Sequence, residues 1–266
     1  RDLNPVLRER IERPEYYVNE KVRCEVMRHF GYFMTESTGH LSEYLPWFRS
    51  SRRALDTYCD MPAFGGETGA ALAYGLDLKD KFRDVDYLQF ESPIIGARSV
   101  EYCSYILEAV VTGHPFRLNG NVRNDGYIAN LPQGCCVEVP IRVDRDGLHP
   151  VPVGALPSPL AAMNQSNISV QTLAVEAALS GDPETVVAAV ALDPLASACC
   201  TLAEIRALVA ELLEAERQWL PQFGDRLPRS TPAISIPADV HPVDVPLDPA
   251  LAIAHRFGEL ARRAIE

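Results

Sequence analysis

The chain has 266 residues, with 36 acidic side chains against 25 Lys and Arg and a formal net charge of −11. That length supports one large domain or two small ones, and hydrophobic and charged fractions of 47% and 23% belong to a folded chain, not a disordered one. The acidic excess repels phosphate backbones and argues against nucleic-acid binding, and no run approaches the roughly 18 to 20 apolar residues of a membrane span.

Seven cysteines, with Cys135–Cys136 and Cys199–Cys200 adjacent in sequence and no C-x-x-C spacing, argue against a disulfide framework, a zinc ribbon and a thioredoxin-type motif. They read as small, mostly buried, reduced thiols, which points to the cytoplasm. Residue 1 is Arg, with no signal peptide after it, so the terminus is expected to be either processed or internal to something longer.

In chain order, residues 14–30 read as one helix, opened by Pro14 and carrying Val18, Val22, Val26 and Phe30 at every fourth position. A polar turn-rich run, Thr35 to His40, leads into aromatic-rich Tyr44 to Phe48. Residues 60–90, with Gly65, Gly66, Gly69 and Gly75, read as loop with one short helix. Residues 98–112 are helical again, with Tyr102, Ile106, Ala109 and Val110 on one face. Asn119 to Asn130 favours turns. Val137 to Val143 and Leu148 to Val153 suit an antiparallel hairpin across the turn Asp144-Arg145-Asp146-Gly147, with Pro140, Pro150 and Pro152 confining those strands to an edge or to short pieces. Beyond Pro159 the chain is helical. It has breaks at Asp182-Pro183 and Asp193-Pro194 and a capping box at Thr201 and Glu204. Seven of the 21 prolines fall between Pro221 and Pro249, an extended tail before a short amphipathic helix over 250–265.

No G-x-G-x-x-G, Walker, H-E-x-x-H or G-x-S-x-G motif occurs. Three clusters hold the remaining chemistry. The richest gathers Tyr32, Thr35, Glu36, Ser37, His40, Glu43, Tyr44 and Arg49. Short polar groups beside aromatic rings suit a sugar, and equally suit a capped helix starting near Gly39 with His40 and Glu43 solvated. The second, Asn119 to Asn130, presents amides to a polar ligand or satisfies its own turns. In the third, Arg98 either clamps an anion or hydroxyl or pairs within its own helix.

These clusters carry a family resemblance. The stretches are Phe30-Gly31-Tyr32-Phe33-Met34-Thr35-Glu36-Ser37 with His40 and Glu43-Tyr44, then Ala97-Arg98-Ser99-Val100-Glu101-Tyr102. The strongest is the string GNVRNDGYIANLPQGCCVE from Gly120 to Glu138. Val153-Gly154-Ala155-Leu156-Pro157, Asn167 to Leu173, Val175 to Ala178, Asp193-Pro194 and Trp219-Leu220-Pro221 follow in order. Together they resemble glycoside hydrolase family 4, the NAD- and divalent-metal-dependent glycosidases, in its α-galactosidase (melibiase) branch, over about residues 15 to 222.

The resemblance implies an α+β fold, mostly helical with small antiparallel sheets and related to the C-terminal domains of lactate and malate dehydrogenases. It implies a family 4 C-terminal domain over 1–222 and a proline-rich tail with a short terminal helix over 223–266. The family's NAD fingerprint and its metal-binding Cys and His lie upstream. The chain is therefore expected to be the C-terminal part of an enzyme. It should be inactive alone, with the main binding residues for NAD and manganese outside it and no cysteine of its own as metal ligand.

The chemistry so implied takes hydride from the sugar's C3, removes the C2 proton, eliminates the aglycone, adds water and returns the hydride. Tyr32 is the expected base, with His29 in its place if the alignment slips by three. Thr35, Glu36, Ser37, His40, Arg49, Arg98 and Asn124 are expected to bind substrate, and Asn124, Gly126 and Asn130 to line the cofactor side. The expected partner is a small-molecule α-glycoside, with the chain part of a homodimer or homotetramer. Two other readings stay open. One is an α-galacturonidase or α-glucuronidase in which Arg49 or Arg98 binds the uronate; the other is a non-catalytic oligomerisation module.

Overall fold

The computed structural model describes residues 2–60, 70–83, 98–241, 257, 258 and 260. Where one N-terminal helix was expected over 14–30, the chain makes α1 (Asn4–Arg10), then α2 (Pro14–Tyr17) and α3 (Lys21–Phe30). The break falls at Glu20, whose backbone leaves the helical region at φ −131°, ψ 33°. Val18 stays exposed, while Val22 and Val26 are fully buried. They pack against Leu41 of α4 (Thr38–Tyr44) and against Leu45 and Phe48 beyond it. Lys21 ties α3 to α5 (Arg52–Tyr58) through the Thr57 carbonyl at 3.0 Å and Asp60 at 2.7 Å. Within the expected 60–90 loop stands a 13-residue helix, α6 (Ala70–Phe82). Gly65, Gly66 and Gly69 lie outside the described residues.

Helix α7 (Cys103–Thr112) turns Ile106 and Ala109 onto the core but leaves Tyr102 and Val110 exposed. It is followed by a three-stranded antiparallel sheet in the order β1 (Phe116–Arg123), β2 (Cys136–Asp144), β3 (Gly147–Pro150). Residues 119–123, expected as turn, are therefore strand. Pairing with the β-branched β2 overrides their local preference. Gly120 fits because a Cβ there would stand 2.9 Å from Ile141 Cδ1.

Pro140 sits in the central strand, not at an edge as expected. Its carbonyl accepts from Val151 N–H at 2.8 Å, past the end of β3. In an antiparallel strand a residue's N–H and C=O point to one side, so the donor that proline lacks is missing from the end of the β2–β3 ladder, not from β1–β2. Val137, Val139, Ile141 and Val143 alternate into the core.

Over this sheet runs α8 (Ser158–Ser180), with Ala161 and Ile168 in the sheet cluster. Met163 reaches the α3–α4 cluster, and Ala177 joins Val187 of α9 (Pro183–Leu192) and Val209 and Leu213 of α11 (Leu202–Ala215). Asp182 caps α9 through Glu184 N and Thr185 N. Asp193 caps α10 (Pro194–Cys199) through Leu195 N and Ala196 N, and Thr201 and Glu204 form both halves of a capping box. Helix α8 ends on Gly181 at φ +65°, where a Cβ would lie 2.2 Å from the Gln222 carbonyl oxygen.

The chain divides into two compact units, 1–229 and 230–266. Phe223, at the start of the expected tail, is buried in the first unit with Ala177 and Val209. Described residues 230–241 of the second unit form no helix or strand, and a turn is closed by Val240 N–H on the Pro237 carbonyl. The expected helix over 250–265 lies mostly outside the described residues. Among the described residues no helix is long and apolar enough to cross a membrane.

Two measurements test this packing. Ile168→Ala is expected to lower the unfolding free energy by about 2–5 kcal/mol in urea titrations, through lost burial and a residual cavity. Glu184 is held below the ordinary carboxylate range by the Arg229 backbone N–H and then by Arg206. Its folded pKa is depressed, so its stabilisation is full above the unfolded value and lost as pH falls through the folded one. Glu184→Gln is therefore expected to lower the urea midpoint at neutral pH and to flatten its decline between about pH 5 and pH 3.

Candidate active site

The segment after α3 is built from its backbone outward. Gly31 ends the helix at φ +84°, a region open to glycine, and its carbonyl accepts from Arg8 Nη2. Residues 31–37 are then held by two side chains not singled out from the sequence. Arg23 Nε donates to the Met34 carbonyl at 2.9 Å, and its guanidinium lies 4.3 Å over the Phe33 ring. Glu20 Oε2 accepts from Thr38 Oγ1 at 3.0 Å and from Arg23 Nη1 at 3.3 Å. The only sequence trace of this pair is its i,i+3 spacing at the start of α3.

On this braced segment Tyr32 is exposed, and its hydroxyl makes no hydrogen bond among the described residues. His29 differs: its Nε2 lies 3.3 Å from Glu25 Oε2. Thr35 is exposed, and Glu36 Oε1 accepts from Ser37 N–H at 2.7 Å. Ser37 stands at the N-cap of α4 without a side-chain cap bond, so the capping explanation does not account for its hydroxyl.

Helix α4 and the turn after it link three further residues. Arg49, largely buried, donates from Nε to Ser42 Oγ at 2.7 Å, and that hydroxyl donates to the Gly39 carbonyl. Glu43 lies between Arg49 and His40, with Oε1 3.7 Å from Arg49 Nη2 and Oε2 3.2 Å from His40 Nδ1. A guanidinium fixed by a buried serine is a pre-set donor fork for an oxyanion or a pair of hydroxyls.

The other predicted residues stand elsewhere. Arg98, ahead of α7, pairs with Glu108 and lies 4.6 Å over the Tyr105 ring. Among the described residues no hydrogen bond or ion pair joins it, or Asn124, Gly126 or Asn130, to the Tyr32–Arg49 group.

Asn124 corrects the expectation of a ligand-facing amide. It is 1% exposed, its Nδ2 donates to the carbonyls of Ile128, Leu131 and Pro132 at 3.0–3.2 Å, and its Oδ1 accepts from Ile128 N–H at 3.0 Å. Asn130 is likewise engaged, exchanging two bonds of 2.8 Å with the Leu156 backbone. Both amides serve the loop, the alternative that turn chemistry offered. Gly126 takes φ +97° with open space where a Cβ would stand.

All seven cysteines are free thiols, but only Cys24 and Cys59 are buried where most were expected to be, and burial pushes the Cys24 thiol up to about 11. Cys136 opens β2. Among the described residues no three His, Cys, Asp or Glu side chains converge to hold a metal ion.

The model of the family 4 glycosyl hydrolase C-terminal domain matches residues 1–196. An α-galactosidase of Rhizobium meliloti (strain 1021) is 39% identical over 233 residues, covering 83% of this chain and 47% of its own length. An α-galactosidase of Bacillus subtilis (strain 168) is 35% identical over 223 residues, covering 84% and 51%. Among solved structures, a 6-phospho-α-glucosidase from gut microorganisms in complex with NAD and Mn2+ superposes with a TM-score of 0.59 at 16% identity, over 83% of this chain and 51% of that one. At that identity the likeness is one of fold. The chain spans about half the length of the curated relatives it matches. By the extent of the domain match and its identity to two α-galactosidases, the chain belongs to glycoside hydrolase family 4 as the family's C-terminal domain.

Proposed function

We propose that this chain is the substrate-side part of an α-galactosidase that uses NAD and a divalent metal. The observation that carries the assignment is the Tyr32 hydroxyl, exposed and without a partner among the described residues on a segment braced by Arg23 and Glu20, beside Thr35 and Ser37 hydroxyls equally unengaged among those residues. The described residues fit neither cofactor by themselves. They hold no metal-ligand cluster, and the sequence has no G-x-G-x-x-G. In this reading the groups that bind NAD and manganese belong to the rest of the enzyme.

What the chain supplies is proton transfer and positioning. Tyr32 takes the proton from the sugar's C2. Its phenol is the better placed of the two candidates because His29 is already paired with Glu25. Arg49, fixed by Ser42 and balanced by Glu43, donates to substrate hydroxyls, and His40, Thr35, Ser37 and the remaining Glu36 oxygen complete the sugar's hydrogen bonds. Arg98 contributes to substrate binding and Gly126 lines the cofactor side, with Asn124 and Asn130 acting through the loop they hold. A cytoplasmic homodimer or homotetramer, a 1–222 catalytic-domain boundary, and kinship of the fold with lactate and malate dehydrogenase C-terminal domains belong to the same reading.

Assays of the full-length enzyme test it. Nitrophenyl α-galactoside is expected to be hydrolysed in preference to the corresponding α-galacturonide, and a strict uronide preference sinks the galactosidase assignment. Tyr32→Phe is expected to lower kcat by about 10²–10⁴-fold with NAD affinity unchanged; near-normal turnover removes Tyr32 from the role.

A further inference from the structure

The end of α3, the turn after α4 and α5 enclose a pocket of about 360 Å³ that is lined by His29, the alternative to Tyr32, but by none of the residues given a role in the reaction above. Its size falls within the roughly 300–1,000 Å³ of small-ligand sites. Phe30, Trp47, Phe48 and Tyr58 make its walls, and Glu25 and His29 are its polar groups. The rings brace one another: Phe30 stacks on Trp47 with centroids 5.5 Å apart, and Phe48 meets Tyr58 edge-on at 5.2 Å. Trp47 is nevertheless 46% exposed, a large ring with a free face.

The polar floor is equally fixed. Glu25 is buried and accepts from Tyr17 Oη at 3.0 Å and from Arg28 Nη1 at 2.7 Å, with His29 Nε2 at 3.3 Å from its second oxygen. These contacts select among ligands. A wholly apolar ligand would strip water from the exposed His29 ring without replacing its hydrogen bonds. A cation would find the carboxylate already neutralised by Arg28. A neutral pyranose satisfies both halves, with its C–H face on Trp47 and its hydroxyls toward Glu25 and His29.

Position adds the rest. Phe30 is two residues from Tyr32, and Trp47 is two from Arg49. Two residues span at most about 7 Å, so the backbone of each proposed sugar-handling residue lies within about that distance of a residue lining the pocket. We propose that this pocket binds the aglycone sugar of an α-linked disaccharide substrate while the reacting ring lies against Tyr32 and Arg49. The inference rests on the function proposed above and adds a second sugar subsite to it.

The test compares α-galactosyl-(1→6)-glucose with methyl α-galactoside, which lacks the second ring. In the full-length enzyme Trp47→Ala is expected to raise KM for the disaccharide about tenfold or more and to leave KM for the methyl glycoside unchanged. Trp47→Phe, which keeps an aromatic face, is expected to restore most of the loss. Equal effects on both substrates, or none on either, overturn the proposal.

If Trp47→Ala fails to fold, fluorescence decides. This chain has two tryptophans, so Trp219→Phe, with any tryptophan of the rest of the enzyme likewise replaced by Phe, leaves Trp47 as the single indole. Its emission is expected to change saturably with the disaccharide and not with the methyl glycoside; an unchanged emission with the disaccharide overturns the subsite. A Trp47 response in an enzyme that hydrolyses no α-galactoside refutes the function and keeps the pocket. Turnover without that response does the reverse.

Discussion

Helix α8 is the constraint on which the first unit depends. Its apolar residues are spread around the helix instead of along one stripe, so it packs on neighbours on several sides. Successive stretches of it enter three clusters: Ala161 and Ile168 against the sheet, Met163 against α3 and α4, and Ala177 against α9 and α11. Asn167 adds a polar tie, donating to the Tyr44 carbonyl at 3.3 Å, at the end of the helix that carries His40 and Glu43. The segment bearing the proposed base is therefore a short connection between two helices, α3 and α4, that both pack on α8, which limits its freedom as precise proton transfer requires.

The helix caps of the C-terminal half were legible in the sequence because their physics is local. Asp182, Asp193 and Thr201 each bond backbone N–H groups two or three residues on, within the reach of their own side chains. The same holds for the hairpin turn at Asp144, whose Oδ1 accepts from Asp146 N–H. What was not legible depends on partners far along the chain. Residues 119–123 look like turn formers until β2 returns to pair with them. Proline at 140 looks like an edge signal until the end of β3 is located beside it.

The site divides along the same line. Clustering in sequence singled out Tyr32 to Arg49, and in the structure Glu43 joins two of the other members, Arg49 and His40. The asparagines are the opposite case. An amide in a Gly-rich run can serve a ligand or its own loop, and only the return of residues 128–135 decides that Asn124 is enclosed. Glu20 and Arg23 escaped notice for a related reason: their partners, Thr38 and the Met34 carbonyl, come into reach only after the chain has reversed at Gly31.

Gly181 shows how tightly the far end of the first unit is specified. It occupies the left-handed region, and the Gln222 carbonyl passes where a side chain would begin. Any other residue meets two independent obstacles, one in its own backbone and one in a segment 41 positions away. The geometry of the α8–α9 corner and the path of residues 220–226 therefore cannot drift separately. A change in one demands a compensating change in the other, so this corner behaves as a single inherited unit although its two parts are distant in sequence.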